Sequence, residues 1–171
     1  MECFSTVECV AFDLFGTVYD LSQTPKQEIR DYIAHVRKPE WSPLTLPDSW
    51  RDLKLHPDSL DGIRLIAAKF KVVSCSNAPY EFTRDLFMRS GLDALVEITD
   101  IAANRCYKPH PDSYKSVCQQ FPFQPEQVLM VTGNVPSPDI EGARAIGMKA
   151  ILIRQPGTPQ TIVELAELLG C

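Results

Sequence analysis

Six polar side chains of this chain stand at or just past the ends of short apolar runs. Asp13 closes VECVAFD, with Gly16 and Thr17 behind it, and Ser76 and Asn77 close FKVVSCSN. Asn134 follows QVLMVTG, and Lys108 lies in CYKPHPDSY. These are a carboxylate, two hydroxyls, two amides and an ammonium, which together can hold and orient a small polar ligand. Singly, each has a plainer use. Asp13 can cap the loop after it, Ser76 and Asn77 are ordinary turn formers, and a lysine is most often solvated. Their recurrence at successive run ends is harder to dismiss, because ligands of open α/β sheets bind beyond the carboxyl ends of the strands.

The elements that must position them are legible as an alternation. Strands are predicted at 7–13, 70–76, 95–98, 127–132 and 149–153, rich in Val, Ile and Leu as a sheet covered on both faces requires. Between them, residues 58–69 and 111–121 carry apolar side chains at helical spacing, the second stretch through Tyr114, Val117, Cys118 and Phe121. Strands alternating with helices imply right-handed crossovers and a parallel sheet. The predicted fold is α/β: a Rossmann-like three-layer domain over 1–171, with a parallel sheet of about five strands. Residues 21–50 interrupt the alternation as a short cap-like insertion. There Thr24 reads as an N-cap, Pro25 as the first helical residue and Gln27 as a capping-box partner, before a proline-rich return.

Composition narrows the class. With 171 residues, 44% hydrophobic and 23% charged, the chain reads as one ordinary domain. A net charge of −5 without a Lys/Arg run argues against a nucleic-acid partner. The apolar runs are too short for a membrane span, and the N-terminus shows no secretory pattern. Six cysteines at irregular spacing suit small buried side chains in a reducing cytoplasm better than a metal or disulfide framework.

Taken in order, DLFGT at 13–17, SN at 76–77, YKP at 107–109 and VTGNVPSPDIEGARAIGM at 131–148 resemble the four motifs of the haloacid dehalogenase superfamily. AFDLFGTVYD and DLKLHPDSLDGI look most like its 2-haloacid dehalogenase branch, and the resemblance covers 7–20 and about 50–157. It implies that Asp13 is a carboxylate nucleophile that forms an ester with the substrate, later hydrolysed by water. Thr17 and Ser76 would donate hydrogen bonds, and Lys108 would lower the pKa of Asp13. Asn77 and Asn134 would orient substrate or water. Tyr114 would support the same pocket, or serve only as a core aromatic of its helix.

Phe15 is informative within that resemblance. The superfamily's phosphatases resemble this chain but carry there a second Asp that protonates the leaving alcohol, and Phe has no proton to give. Where they carry Gly-Asp to bind Mg²⁺, this chain has Gly133-Asn134, a weaker ligand for a hard cation. Loss of both points to displacement at carbon on a small carboxylate substrate, with no metal and no cofactor. The branch's large cap, which supplies an arginine for the substrate carboxylate, is here about thirty residues, with Arg30 and Arg37 as candidates or as surface residues. Asp139, expected in the first turn of a helix capped by Ser137 and begun by Pro138, serves as the second acid or as a helix-dipole partner. Two alternatives remain: an Mg²⁺-dependent small-molecule phosphatase using Asp13, the Phe15 backbone and Asp139, and a catalytically degenerate binding or scaffold protein. The short cap leaves the site open to larger substrates or to closure by a second copy of the chain.

Overall fold

Paired in parallel, the apolar runs form one five-stranded sheet in the order β3-β2-β1-β4-β5 in the computed structural model, which describes residues 4–171. The strands are β1 (Cys9–Phe12), β2 (Lys71–Ser74), β3 (Glu97–Ile98), β4 (Val128–Thr132) and β5 (Lys149–Leu152). Successive residues of each strand face opposite layers. Val10, Phe12, Val72, Leu129 and Val131 enter one core, with Ile63, Ile66, Phe82, Leu86, Ile162 and Leu165. Cys9, Ala11, Val73, Val128, Met130 and Ala150 enter the other, with Tyr114, Val117 and Ala143. The first core therefore lies under α2 (Ser59–Ala67), α3 (Tyr80–Ser90) and α6 (Ile162–Leu168), and the second under α4 (Pro111–Gln120) and α5 (Pro138–Ala145). This is the three-layer arrangement expected of the alternation.

Several element ends move. β3 starts at Glu97 rather than at residue 95, because Leu95 and Val96 give their N–H groups to Leu92 O in a turn and only Val73 and Ser74 pair with the strand. Helix α1 (Lys26–Val36) starts later than expected. Pro25 is extended (ψ 129°) and acts as the N-cap, Thr24 N–H bonds Leu21 O, and the Gln27 amide reaches Asp31 rather than the helix start. Helix α5 starts at Pro138 with Asp139 in its first turn, but the Ser137 hydroxyl makes no capping bond. Two helices lie outside the predicted elements: α3, which buries Phe82, Leu86 and Phe87, and α6, whose Ile162, Leu165 and Ala166 are at helical spacing.

Helix α1 buries no residue completely. It rests on the sheet's carboxyl edge through Ile29, Tyr32 and Val36, and Tyr32 meets a buried aromatic pair. Phe15 packs edge-on against Trp50 (ring centroids 4.8 Å apart) and against Tyr32 (5.8 Å), while the Trp50 indole donates to Glu28 Oε2 at 2.8 Å. Among the described residues the cysteines are unpaired thiols, and no helix is long and apolar enough to cross a membrane. Cys3 lies outside the described residues.

The seam between α2 and α6 is tight at Gly62. A methyl group there would meet the Ile162 backbone carbon at 2.7 Å. Gly62→Ala should therefore destabilise by about 1–3 kcal/mol despite the better helix propensity of alanine. The expected readout is a lower urea midpoint with an unchanged denaturant slope.

Candidate active site

Strand order decides which loops meet. β1 is flanked by β2 and β4, so the residue after β1, Asp13, lies between the loops that carry Asn77 and Asn134. Lys108 arrives from the segment before α4 and Asp139 from the first turn of α5. Asp13, Thr17, Asn77, Lys108 and Asp139 are all buried.

Both oxygens of Asp13 are met by donors. Lys108 Nζ donates to Oδ1 at 2.8 Å, and Oδ2 accepts from Thr17 Oγ1 at 2.9 Å and from Asn134 Nδ2 at 2.7 Å. Lys108 Nζ also donates to Asp139 Oδ2 at 2.9 Å, and Tyr114 OH donates to Asp139 Oδ1 at 2.9 Å. Asn77 works one step back: its Oδ1 accepts the Lys108 N–H at 2.7 Å and its Nδ2 donates to Lys108 O at 3.3 Å, fixing the lysine's backbone. Thr17 Oγ1, while donating to Asp13, accepts Gly133 N–H at 2.7 Å and so ties the first and fourth loops together.

The charges compete. Burial pushes the Asp13 carboxyl above its ordinary value; the Lys108 ammonium pulls it back, Asp139 pushes it up again and the Thr17 hydroxyl pulls it down. Lys108 thus lowers the Asp13 pKa as expected, but the net direction is upward, because desolvation outweighs one cation shared between two carboxylates. Burial works against the Lys108 ammonium, but Asp13 and then Asp139 more than offset it and hold Lys108 well above the ordinary lysine range. Every described hydrogen-bond partner of Asp13 is a donor, the arrangement a carboxylate accepts. It is thus an ionised acid of raised basicity.

Glycines make the close approaches possible. Gly16 has φ +78°, and a Cβ on it would fall 2.5 Å from Asn134 Oδ1. A Cβ on Gly142 would fall 2.4 Å from the Tyr114 ring, so α5 must be bare where the tyrosine passes beneath it to Asp139. Tyr114 is both of the things considered for it: completely buried in the second core and bonded through its hydroxyl to the polar centre.

A cavity of about 350 Å³ opens above Asp13, lined among others by Phe15, Asn77, Lys108, Asn134 and Asp139. Arg37 also lines it, whereas Arg30 is exposed and does not. Ser76 is buried, and its hydroxyl accepts Ala78 N–H at 3.2 Å, the turn-forming use of that residue. Tyr32 was not anticipated. It lines the cavity, and burial followed by the nearby Asp13 carboxylate pushes its phenol well up. Its position in the stripe Ile29, Tyr32, Val36 was the available signal. Arg154 was also missed: its Nε donates to Thr17 O at 2.9 Å, while its NH1 holds Asp58 at 2.9 Å, bracing the loop after β1 from behind.

The donor set that a phosphatase-type cation would need does not fit this arrangement. The Asn134 amide donates to Phe15 O at 2.9 Å as well as to Asp13 Oδ2, so its NH₂ group bridges two of the three oxygens such an ion would require. Asp139, the third, is engaged by Lys108 and Tyr114. Among the described residues no cluster of three or more His, Cys, Asp or Glu side chains is placed to hold a metal ion.

Residues 44–147 match the family described as "Hydrolase: haloacid dehalogenase-like hydrolase". The chain is 30% identical over 117 residues to (S)-2-haloacid dehalogenase 1 of Pseudomonas sp. (strain CBS-3), covering 67% of this chain and 51% of that protein. It is 28% identical over 120 residues to haloacetate dehalogenase H-2 of Moraxella sp. (strain B), covering 69% and 53%. The alignments thus span about half the length of these relatives. In fold it is similar to L-2-haloacid dehalogenase of Xanthobacter autotrophicus solved with chloropropionic acid covalently bound: TM-score 0.77, 17% identity, 96% of this chain and 98% of that one.

Removing the shared cation tests the electrostatics of the centre. Lys108→Met leaves two buried carboxylates without a counter-ion and should destabilise by roughly 3–5 kcal/mol at neutral pH. With its carboxyl pKa raised further, the folded variant binds more protons than the unfolded chain, so its stability rises as pH falls. Urea unfolding from pH 7 to about pH 5 should show the deficit shrinking.

Proposed function

The chain belongs to the haloacid dehalogenase-like hydrolases, and within that family we propose that it displaces a halide from a small 2-halocarboxylate through an ester at Asp13, without a metal. One observation carries the reading: the side chain two residues past Asp13 is Phe15, packed against Trp50 and Tyr32, which has no proton to give a leaving alcohol, whereas a halide departs without one.

The hydrogen bonds around Asp13 support a definite division of labour. Oδ2 accepts two bonds and is committed to Thr17 and Asn134, whereas Oδ1 accepts one from Lys108 and keeps a lone pair. Oδ1 attacks the carbon opposite the halogen. The C–O bond forms as the carbon–halogen bond breaks, and halide leaves with the bonding electrons. Water then adds to Cγ of the ester, and as the Cγ–O bond breaks the substrate oxygen takes up the proton that the water gave to the site and departs as the product hydroxyl. Asp139, the other carboxylate of the cavity wall, is the acceptor within the site for the water's proton. Lys108 balances the charge of both acids throughout. Residues 21–50 act as a short cap on a single core domain, and Arg37 is the cationic cavity residue available to the substrate carboxylate. The bound chloropropionic acid of the Xanthobacter enzyme agrees with an ester intermediate of this kind.

The reading is tested directly. Wild-type protein with 2-chloropropionate should release chloride at a rate unchanged by EDTA, and Asp13→Ala should abolish release. A single turnover in oxygen-18 water with enzyme in excess should put the label into the Asp13 peptide rather than the hydroxy acid. Failure to release halide from any small haloacid, together with Mg²⁺-dependent cleavage of a phosphomonoester, would overturn it.

Acidification should slow ester formation, because protonated Asp13 has no nucleophilic oxygen. The acid limb of kcat/KM should have its midpoint above 3.8, the ordinary aspartate value, since burial raises this carboxyl.

A further inference from the structure

Beside the Asp13 cavity lies a second, larger groove of about 640 Å³, between the segment that follows α1 and the loop that precedes α4. The two share Val36, Arg37 and Pro109, so a molecule held at Asp13 can extend into the groove. Its wall is cationic in a chain whose net charge is −5. Arg37, Lys38 and Arg105 line it, and none has a carboxylate partner among the described residues. Elsewhere Arg51, Arg64, Arg84, Arg89 and Arg154 each hold one. The acid on this wall, Asp112, is already bonded to Lys115 Nζ at 2.9 Å. Unneutralised cations around a concave surface concentrate anions there.

Two further observations describe what the anion is attached to. Trp41 and Tyr107 stack with centroids 6.4 Å apart at 24°, giving the groove a flat aromatic wall, and the Arg105 guanidinium lies 5.9 Å from the Trp41 ring. We propose that this groove binds an anionic head group, carboxylate or phosphate, carried on an aromatic body, and that it receives the distal end of the substrate whose reacting carbon meets Asp13. Its second half rests on the dehalogenase reading; its first half does not. The substrate class is then an aryl-bearing 2-halo acid with a second acidic group, larger than 2-chloropropionate.

The binding half is read by nuclear magnetic resonance on the wild-type chain with ligands that cannot react. The chain has two tryptophans, so two indole N–H signals, and Trp41→Phe assigns them. Millimolar benzoate or phenyl phosphate should shift the Trp41 signal saturably and leave Trp50 in place, with propionate weaker than either. The tighter of the two aryl acids identifies the head group. Lys38→Ser and Arg105→Ser should each weaken binding about threefold to fivefold, the effect of one exposed cation. A Trp41 signal that does not move, or shifts that survive in both serine variants at full affinity, overturns the proposal. The kinetic half uses halide release: Arg105→Ser should raise KM for an aryl diacid substrate at constant kcat and leave 2-chloropropionate unaffected. Groove binding without halide release from any substrate refutes the dehalogenase reading and sustains the groove. Halide release with an unmoved Trp41 refutes the groove and sustains the reaction.

Discussion

Lys108 Nζ is buried between Asp13 Oδ1 and Asp139 Oδ2, and an ammonium taken out of water costs several kcal/mol unless opposite charge meets it. The same holds in reverse for each carboxylate. None of the three can be buried alone, and their joint burial requires three chain segments far apart in sequence to converge within hydrogen-bond distance. That requirement accounts for much of the surrounding detail. Asn77 clamps the lysine's backbone from both sides, Tyr114 crosses the second core to reach Asp139, and Gly142 is bare so that it can. Because burial raises its carboxyl and one cation serves two acids, Asp13 is left more basic than an exposed aspartate.

Phe15 separates two kinds of chemistry by what it does structurally. Its phenyl ring packs edge-on against Trp50 and Tyr32, while its carbonyl oxygen accepts the Asn134 amide. That amide, donating at once to Phe15 O and Asp13 Oδ2, is held with its NH₂ inward because both partners are acceptors. Positions 15 and 134 are therefore coupled: the Phe15 carbonyl fixes the Asn134 amide, and that amide fixes Asp13 Oδ2.

The fold was legible because its signals are local and repeated. Val- and Ile-rich runs separated by helical spacing specify a covered parallel sheet, and the strand ends then specify an edge. The site residues nearest Asp13 followed from that edge: Thr17, Lys108 and Asn134 all touch it. What was not legible depends on contacts across the chain. Whether Ser76 turns its hydroxyl to Asp13 or to Ala78 N–H is decided by the loop's path, which no spacing records. The sign of the Asp13 shift depends on how deeply it is buried and on Asp139 being close enough to claim half of the lysine. Tyr32 and Arg154 come from segments with no motif, and their places follow only from docking of α1 and from the turn after β5, where Arg154 has φ 62°.

The loop before α4 joins these requirements within four residues. Arg105 faces the groove, Tyr107 donates its hydroxyl to Ser42 O at 2.7 Å and so holds the return segment of the cap, and Lys108 reaches Asp13. Helix α1 has no completely buried residue of its own, so its position depends on such contacts at both ends: Phe15 and Trp50 on one side, Tyr107 on the other. The placement of residues 21–50, the charge balance at Asp13 and the groove's cationic wall are consequently not independent. A shift of this loop that drew Lys108 away from Asp13 would also release Ser42 and move Arg105 off the Trp41 ring, so the loop ties the polar centre to the groove.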